Sequence, residues 1–226
     1  MASRTSAHIS ESVFLTIFVQ DTEEHRLIPE IAGLPALEWT SSAGHASYDE
    51  AEATLTLAAA SGVDWTNDSL GGEPQHGATA LGFRAPAAFS LSARVLVASP
   101  RTTFDAGVLT LWADSDHWAK LCFEYSPQGE AMVVSVVTNG YSDDSNGPVV
   151  TAPWVYLRVS RVGPAWAFHS STDGRDWSLV RLFRLDTEKP VHVGFMSQAP
   201  MGDGCEARFD AIELKEEPPA ELRDGS

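Results

Sequence analysis

A lysine and a glutamate four positions apart on one alternating run, Lys120 and Glu124, are the residues best placed in this chain to do chemistry. From Trp118 to Tyr125 a period of two puts Trp118, Lys120, Cys122 and Glu124 on one face and Ala119, Leu121, Phe123 and Tyr125 on the other. A second run repeats the design, with Trp154, Tyr156 and Arg158 alternating with Val155, Leu157 and Val159. If the two strands are neighbours, Lys120 and Arg158 offer donors to a hydroxylated or anionic ligand while Glu124 accepts hydrogen bonds. Charged groups on a partly desolvated face need a reason to be there, and two compete: ligand recognition, or a structural ion-pair network on a solvated face. Aromatic rings that stack on the C–H-rich faces of sugars would complete a cleft. Trp65, on a glycine-rich loop, and Trp118, beside Lys120, are the tryptophans expected to be exposed there, whereas Trp177 is expected to pack a turn.

Other chemistry fits less well. Glucanase-type hydrolysis needs two carboxyl groups about 5 to 9.5 Å apart across the scissile bond. Glu124 has no acidic partner on its own strand face, because Cys122 and Lys120 stand two and four positions before it. Lys120 and Glu124 as the acid–base pair of an isomerase or cyclase also suits the residue types. His45, His76, His117, His169 and His192 form neither a helix-borne metal motif nor a triad with a nucleophile elbow. Asp143, Asp144 and Asn146 lack calcium-loop spacing and read as turn formers, so no metal and no cofactor is assigned. The Gly71-Gly72 pair, Gly202 and Gly204 are not followed by the Lys-Ser/Thr of a phosphate loop.

The elements that must carry these residues are strands. Phe89, Leu91, Ala93, Val95 and Val97 alternate with Ser90, Ser92 and Arg94. Further runs lie at 108–111, 118–125, 132–138, 154–161, 166–168, 191–196 and 207–214, with turn chemistry between them and almost no helical periodicity. Residues 64–77 hold enough Asn, Asp, Gly and Pro to predict a long loop, and 142–148 a turn. The pattern predicts an all-β sandwich or barrel.

Charge and composition bound the function. With 31 acidic and 15 basic residues the formal net charge is -16, which disfavours nucleic acid and anionic membrane surfaces as partners. Cys122 and Cys205 are too few for a disulfide framework or a zinc cluster and are expected to be reduced and buried. No run approaches the roughly 20 apolar residues of a membrane span, and no secretory leader pattern matches, so the expectation is a cytoplasmic protein. The run Val13 to Val19 is β-prone and uncharged; it predicts a strand paired into the main sheet or exchanged with a second subunit in a homodimer.

The ordered segments Phe104-Asp105-Ala106-Gly107, Trp118 to Glu124, Ser135-Val136-Val137-Thr138 with Ser142-Asp143, Leu157-Arg158-Val159, Asp173 to Trp177, and Val193-Gly194-Phe195 with Ala199-Pro200 resemble domain-of-unknown-function family 1349. That family is associated with a fungal regulator-of-enolase protein and is assigned to the concanavalin A-like lectin/glucanase superfamily. Over residues 34–215 the resemblance implies a jelly-roll sandwich of two antiparallel sheets, whose concave face holds carbohydrate in related lectins and glucanases. The chain then divides into an N-terminal strand and connection (1–33), the sandwich (34–215) and a mobile acidic tail (216–226). The expected function is binding of a small hydroxylated ligand, a carbohydrate or sugar-containing metabolite, by Trp65, Trp118, Lys120, Glu124, Tyr156 and Arg158. The alternatives are a small-molecule enzyme using Glu124 and Lys120 in the same cleft, a glycoside hydrolase, or a regulator that binds a protein partner.

Overall fold

The computed structural model describes residues 27–226, so the Val13 to Val19 segment, and any dimer made through it, lies outside the described residues. Alternation drives two seven-stranded antiparallel sheets into a jelly-roll sandwich. The front sheet runs in the order β1 (Glu38–Trp39), β6 (Thr79–Arg84), β15 (His192–Gln198), β8 (Ala106–Asp114), β9 (His117–Tyr125), β10 (Ala131–Asn139) and β11 (Tyr141–Val149). The back sheet runs β14 (Ser178–Phe183), β13 (Ala165–Ser171), β12 (Trp154–Val162), β7 (Phe89–Val97), β16 (Gly204–Lys215), β3 (Thr54–Ala60) and β2 (His45–Asp49). A two-stranded ribbon, β4 (Trp65–Thr66) with β5 (Gln75–His76), stands apart from both.

Between the sheets Leu109, Leu111, Ala119, Leu121, Phe123 and Val133 of the front sheet meet Leu55, Leu91, Val95, Leu157, Val159, Phe168 and Phe209 of the back sheet. The front sheet is also covered on its other face. There Trp65, Ala78 and Ala80 pack on Val108, Trp118, Cys122, Val134, Val136 and Met196 as a second apolar cluster. A sheet buried on both faces loses strict alternation, which is why β10 reads Met-Val-Val-Ser-Val-Val. Burying an indole removes about 150–250 Å² from water, or roughly 4–6 kcal/mol at about 25 cal/mol per Å². Trp65 is thus a main reason the loop expected at 64–77 lies on the front sheet instead of in solvent.

Two sequence expectations are corrected here. Residues 142–148 are part of a strand, β11, not a turn. It pairs through Val136↔Asp144 and Ser135↔Ser145, and the register shifts where Gly147 and Pro148 are accommodated before Val149 meets Met132. An edge strand needs only one hydrogen-bonding side, so Asp, Asn, Gly and Pro cost less there than in a central strand. The tail at 216–226, expected to be mobile, is placed against the back sheet. Glu217 O accepts from Ser90 Oγ at 3.1 Å, Leu222 O from His169 Nε2 at 2.8 Å, and Gly225 O from Arg158 Nη2 at 2.8 Å. Lastly, β12 lies in the back sheet between β7 and β13, so Tyr156 and Arg158 are not neighbours of Lys120 and Glu124.

Candidate functional site

Lys120 and Glu124 share the outer face of the front sheet, as their parity predicts, because Ala119, Leu121 and Phe123 take the inner one. Across the strands, Lys120 is level with Thr110 on β8 and Val136 on β10, and Val136 with Asp144 on β11. Glu124 is level with Ala106, and Ala106 with Gln198 on β15. At about 4.8 Å per strand, each two-strand step spans roughly 10 Å. Together with the loop bearing Asp64 these rows enclose a cleft of about 270 Å³, lined by Asp64, Thr66, Phe104, Lys120, Glu124 and Asp144 among others.

Lys120 is fully committed. Its Nζ donates to Asp64 Oδ1 at 2.7 Å, Trp65 O at 2.7 Å and Gln198 Oε1 at 3.0 Å, which uses all three ammonium protons. Burial alone would push its pKa down, but the surrounding acidic groups, Asp64 foremost and Glu124 among them, together outweigh that and hold it above the ordinary lysine value. Lys120 is therefore a fastening for the covering loop and not a proton donor, which removes it from the expected acid–base pair.

Glu124 is the reverse. It is 9% exposed, accepts no hydrogen bond from the described residues, and neither carboxyl oxygen is sealed from the cleft. Loss of water pushes its pKa up to about 7; Lys120 opposes the shift and the nearby Asp64 and Asp144 carboxylates add to it. Asp144, at the rim, is raised as well, chiefly by desolvation. The thiol of Cys122, buried among these charges, is pushed up by burial and is inert as a nucleophile.

Of the six residues expected to bind ligand, the structure brings together Trp65, Trp118, Lys120 and Glu124, but only Glu124 offers a free polar group to the cleft. Trp65 and Trp118 are 0% exposed, contrary to expectation, and pack edge to face at 5.8 Å between ring centroids. Their N–H groups are spent on Ser41 Oγ (2.7 Å) and Ser115 O (3.2 Å). Tyr156 and Arg158 line a separate pocket on the back sheet.

The sequence reading missed Asp64, Asp144, Gln198 and Phe104. Phe104 is the aromatic ring at the cleft mouth, 37% exposed. Its φ of 67° is left-handed, a conformation that costs a non-glycine residue of order 1–3 kcal/mol. Two bonds hold it there: its N–H to Tyr125 O at 2.7 Å, and its carbonyl accepting from Gln198 Nε2 at 2.9 Å. Gln198 thus joins Phe104 to Lys120 and Asp64. No sequence signal marks Asp64, which lies 56 positions from the lysine it neutralises.

Residues 39–217 match the family model described as Protein of unknown function (DUF1349). A Saccharomyces cerevisiae protein named Regulation of enolase protein 1 is 30% identical over 161 residues, covering 71% of this chain and 80% of that protein. A solved structure of a functionally unknown Saccharomyces cerevisiae protein superposes with a TM-score of 0.71 at 27% identity, over 83% of this chain and 98% of that one. The GH43 protein BlXynB from Bacillus licheniformis shares the fold, with a TM-score of 0.59 at 14% identity over 73% of this chain and 33% of that one. The match over most of the sandwich makes this chain a member of the DUF1349 family.

Proposed function

We propose that the front-sheet cleft binds a small polyhydroxylated ligand, about one sugar unit in size, through Glu124. The observation that carries this is Glu124 itself, a residue only 9% exposed whose carboxyl group has no hydrogen-bond partner among the described residues and which lines a shaped cleft. Burying such a group without a partner costs free energy, and a ligand hydroxyl returns what is lost. A volume of about 270 Å³ falls just under the roughly 300–1,000 Å³ usual for drug-sized ligands. With Trp65 and Trp118 buried, the apolar wall for a sugar's C–H face is the Phe104 ring. The likeness to a part of a GH43 protein supports a sandwich of the kind found in carbohydrate-active proteins.

Isothermal calorimetry against a panel of neutral monosaccharides tests it. The expected result is a saturable heat in the wild type that Glu124→Gln abolishes without lowering the melting temperature. Silence from the wild type across the whole panel would refute the reading.

A second reading rests on the pKa of about 7 at Glu124, which is where a general acid or base works best at neutral pH. On that reading Glu124 moves the proton, with Asp144 or a water as its counterpart, and Lys120 only holds the loop. Conversion of a bound ligand, followed by NMR and lost in Glu124→Gln, separates it from simple binding.

A further inference from the structure

The back sheet carries a different pocket. It has a volume of about 460 Å³ and is built around Arg158, with Tyr156 and Trp177 as walls, Ser90 and Ser92 on the floor, and Lys215 at the rim. Arg158 is 9% exposed, and among the described residues it has no carboxylate partner. Its Nη2 donates to the tail carbonyl of Gly225 at 2.8 Å, and its guanidinium lies 4.2 Å from the Trp177 ring centroid. Neither contact neutralises it. The Nε is buried with no partner among the described residues, as are Ser160 Oγ on the same strand and His169 Nδ1. His169, directly across from Arg158 in the β12–β13 pairing, has its Nε2 proton committed to Leu222 O and adds no charge. The acid on the rim, Glu213, is already paired with Lys215 at 3.1 Å, and both are well exposed.

An arginine this deep is normally matched by a carboxylate or phosphate, because the desolvation penalty of the bare cation is several kcal/mol. Desolvation alone depresses its pKa, to about 10, consistent with the lack of an acidic neighbour. Among the described residues Nη2 is the one guanidinium nitrogen that makes a hydrogen bond, and Arg158 lines the pocket. In a chain of net charge -16, this is a cation that finds no anionic partner among the described residues.

We infer that the pocket over Arg158 is a second binding site, for a small oxyanion, carboxylate or phosphate, carried on a body that lies between Tyr156 and Trp177. The planar guanidinium, fixed by Trp177 and the tail, presents N–H donors in the fork geometry that matches such anions.

The test is thermal-shift and calorimetric titration of the full chain at constant ionic strength, with benzoate and inorganic phosphate as anionic probes and benzamide as the neutral isostere of benzoate. At least one anion should bind saturably and raise the melting temperature by about 2 °C or more, while benzamide does nothing. Benzoate without phosphate identifies a carboxylate site, and phosphate without benzoate a phosphate site. Arg158→Met should abolish the shift. Should that variant not fold, Lys215→Glu at the exposed rim should fold normally and weaken binding several-fold. Glu124→Gln, on the other face, should bind the anion as the wild type does. No saturable anion binding by the wild type, equal binding of benzamide, or full binding by Arg158→Met or Lys215→Glu would each overturn the inference.

Discussion

The two outer faces of this sandwich each bury a cation and treat it in opposite ways. On the front sheet Lys120 meets an aspartate, a backbone carbonyl and an amide, and every proton it has is used. On the back sheet Arg158 meets a carbonyl and an indole, keeps an orphaned Nε, and makes no ion pair with a carboxylate among the described residues. The front face instead leaves its acid, Glu124, without a hydrogen-bond partner among the described residues. A buried charge that is satisfied supports the fold, while one that is not has its partner supplied from outside or lowers stability for no return. On the two readings proposed above, the faces would offer ligands opposite chemistry: an acceptor for hydroxyl groups in front, a donor for anions behind.

The contrast should be plainest in stability. Lys120→Met strands Asp64 and releases the loop that holds Trp65, so it is expected to cost about 3–5 kcal/mol in urea unfolding. A loss below about 1 kcal/mol would mean that the fastening is supplied by Trp65 alone.

Next in size is Glu124→Gln. The pKa of Glu124 is raised from 4.5 to about 7, so its contribution to stability is fully present below about pH 4.5 and is lost as pH rises through 7. The amide does not titrate. The variant should match the wild type in acid and exceed it by about 1–3 kcal/mol at pH 8, and parallel stability–pH curves would show that Glu124 is not desolvated in solution.

Phe104→Gly should relieve the left-handed backbone and leave stability unchanged or raised by up to about 1 kcal/mol, while removing the apolar wall and weakening sugar binding at least several-fold. Unchanged affinity would exclude the ring from the site. The smallest effect is expected of Arg158→Met, within about 1 kcal/mol of wild type, because no carboxylate is stranded and only the Gly225 bond and the indole contact are lost. A loss as large as that of Lys120→Met would erase the contrast between the faces.

How much of this was legible in the sequence follows from what a period of two encodes. It separates inner from outer residues on any strand, so the sandwich class, the shared face of Lys120 and Glu124, and the inward Val155, Leu157 and Val159 were all readable. It does not say which sheet a strand joins. Arg158 and Lys120 are both outward, but β12 sits in the back sheet, and outward there is the far side of the molecule. The exposure of Trp65 and Trp118 failed for a related reason: a loop folded over the front sheet and turned an outer face into an inner one. Composition misled at β11, where edge position tolerates residues that elsewhere end strands. The tail was illegible because it docks mainly through its own backbone carbonyls, which no side-chain pattern reports.

If the front cleft takes up a ligand as proposed, the bond from Lys120 to Asp64 and Trp65 also bears on how fast it does so. Because the covering loop is fastened before anything arrives, entry of a ligand has no loop there to order, and the association rate should be governed by encounter. Discrimination between similar ligands would then appear almost wholly in residence time, as differences in koff.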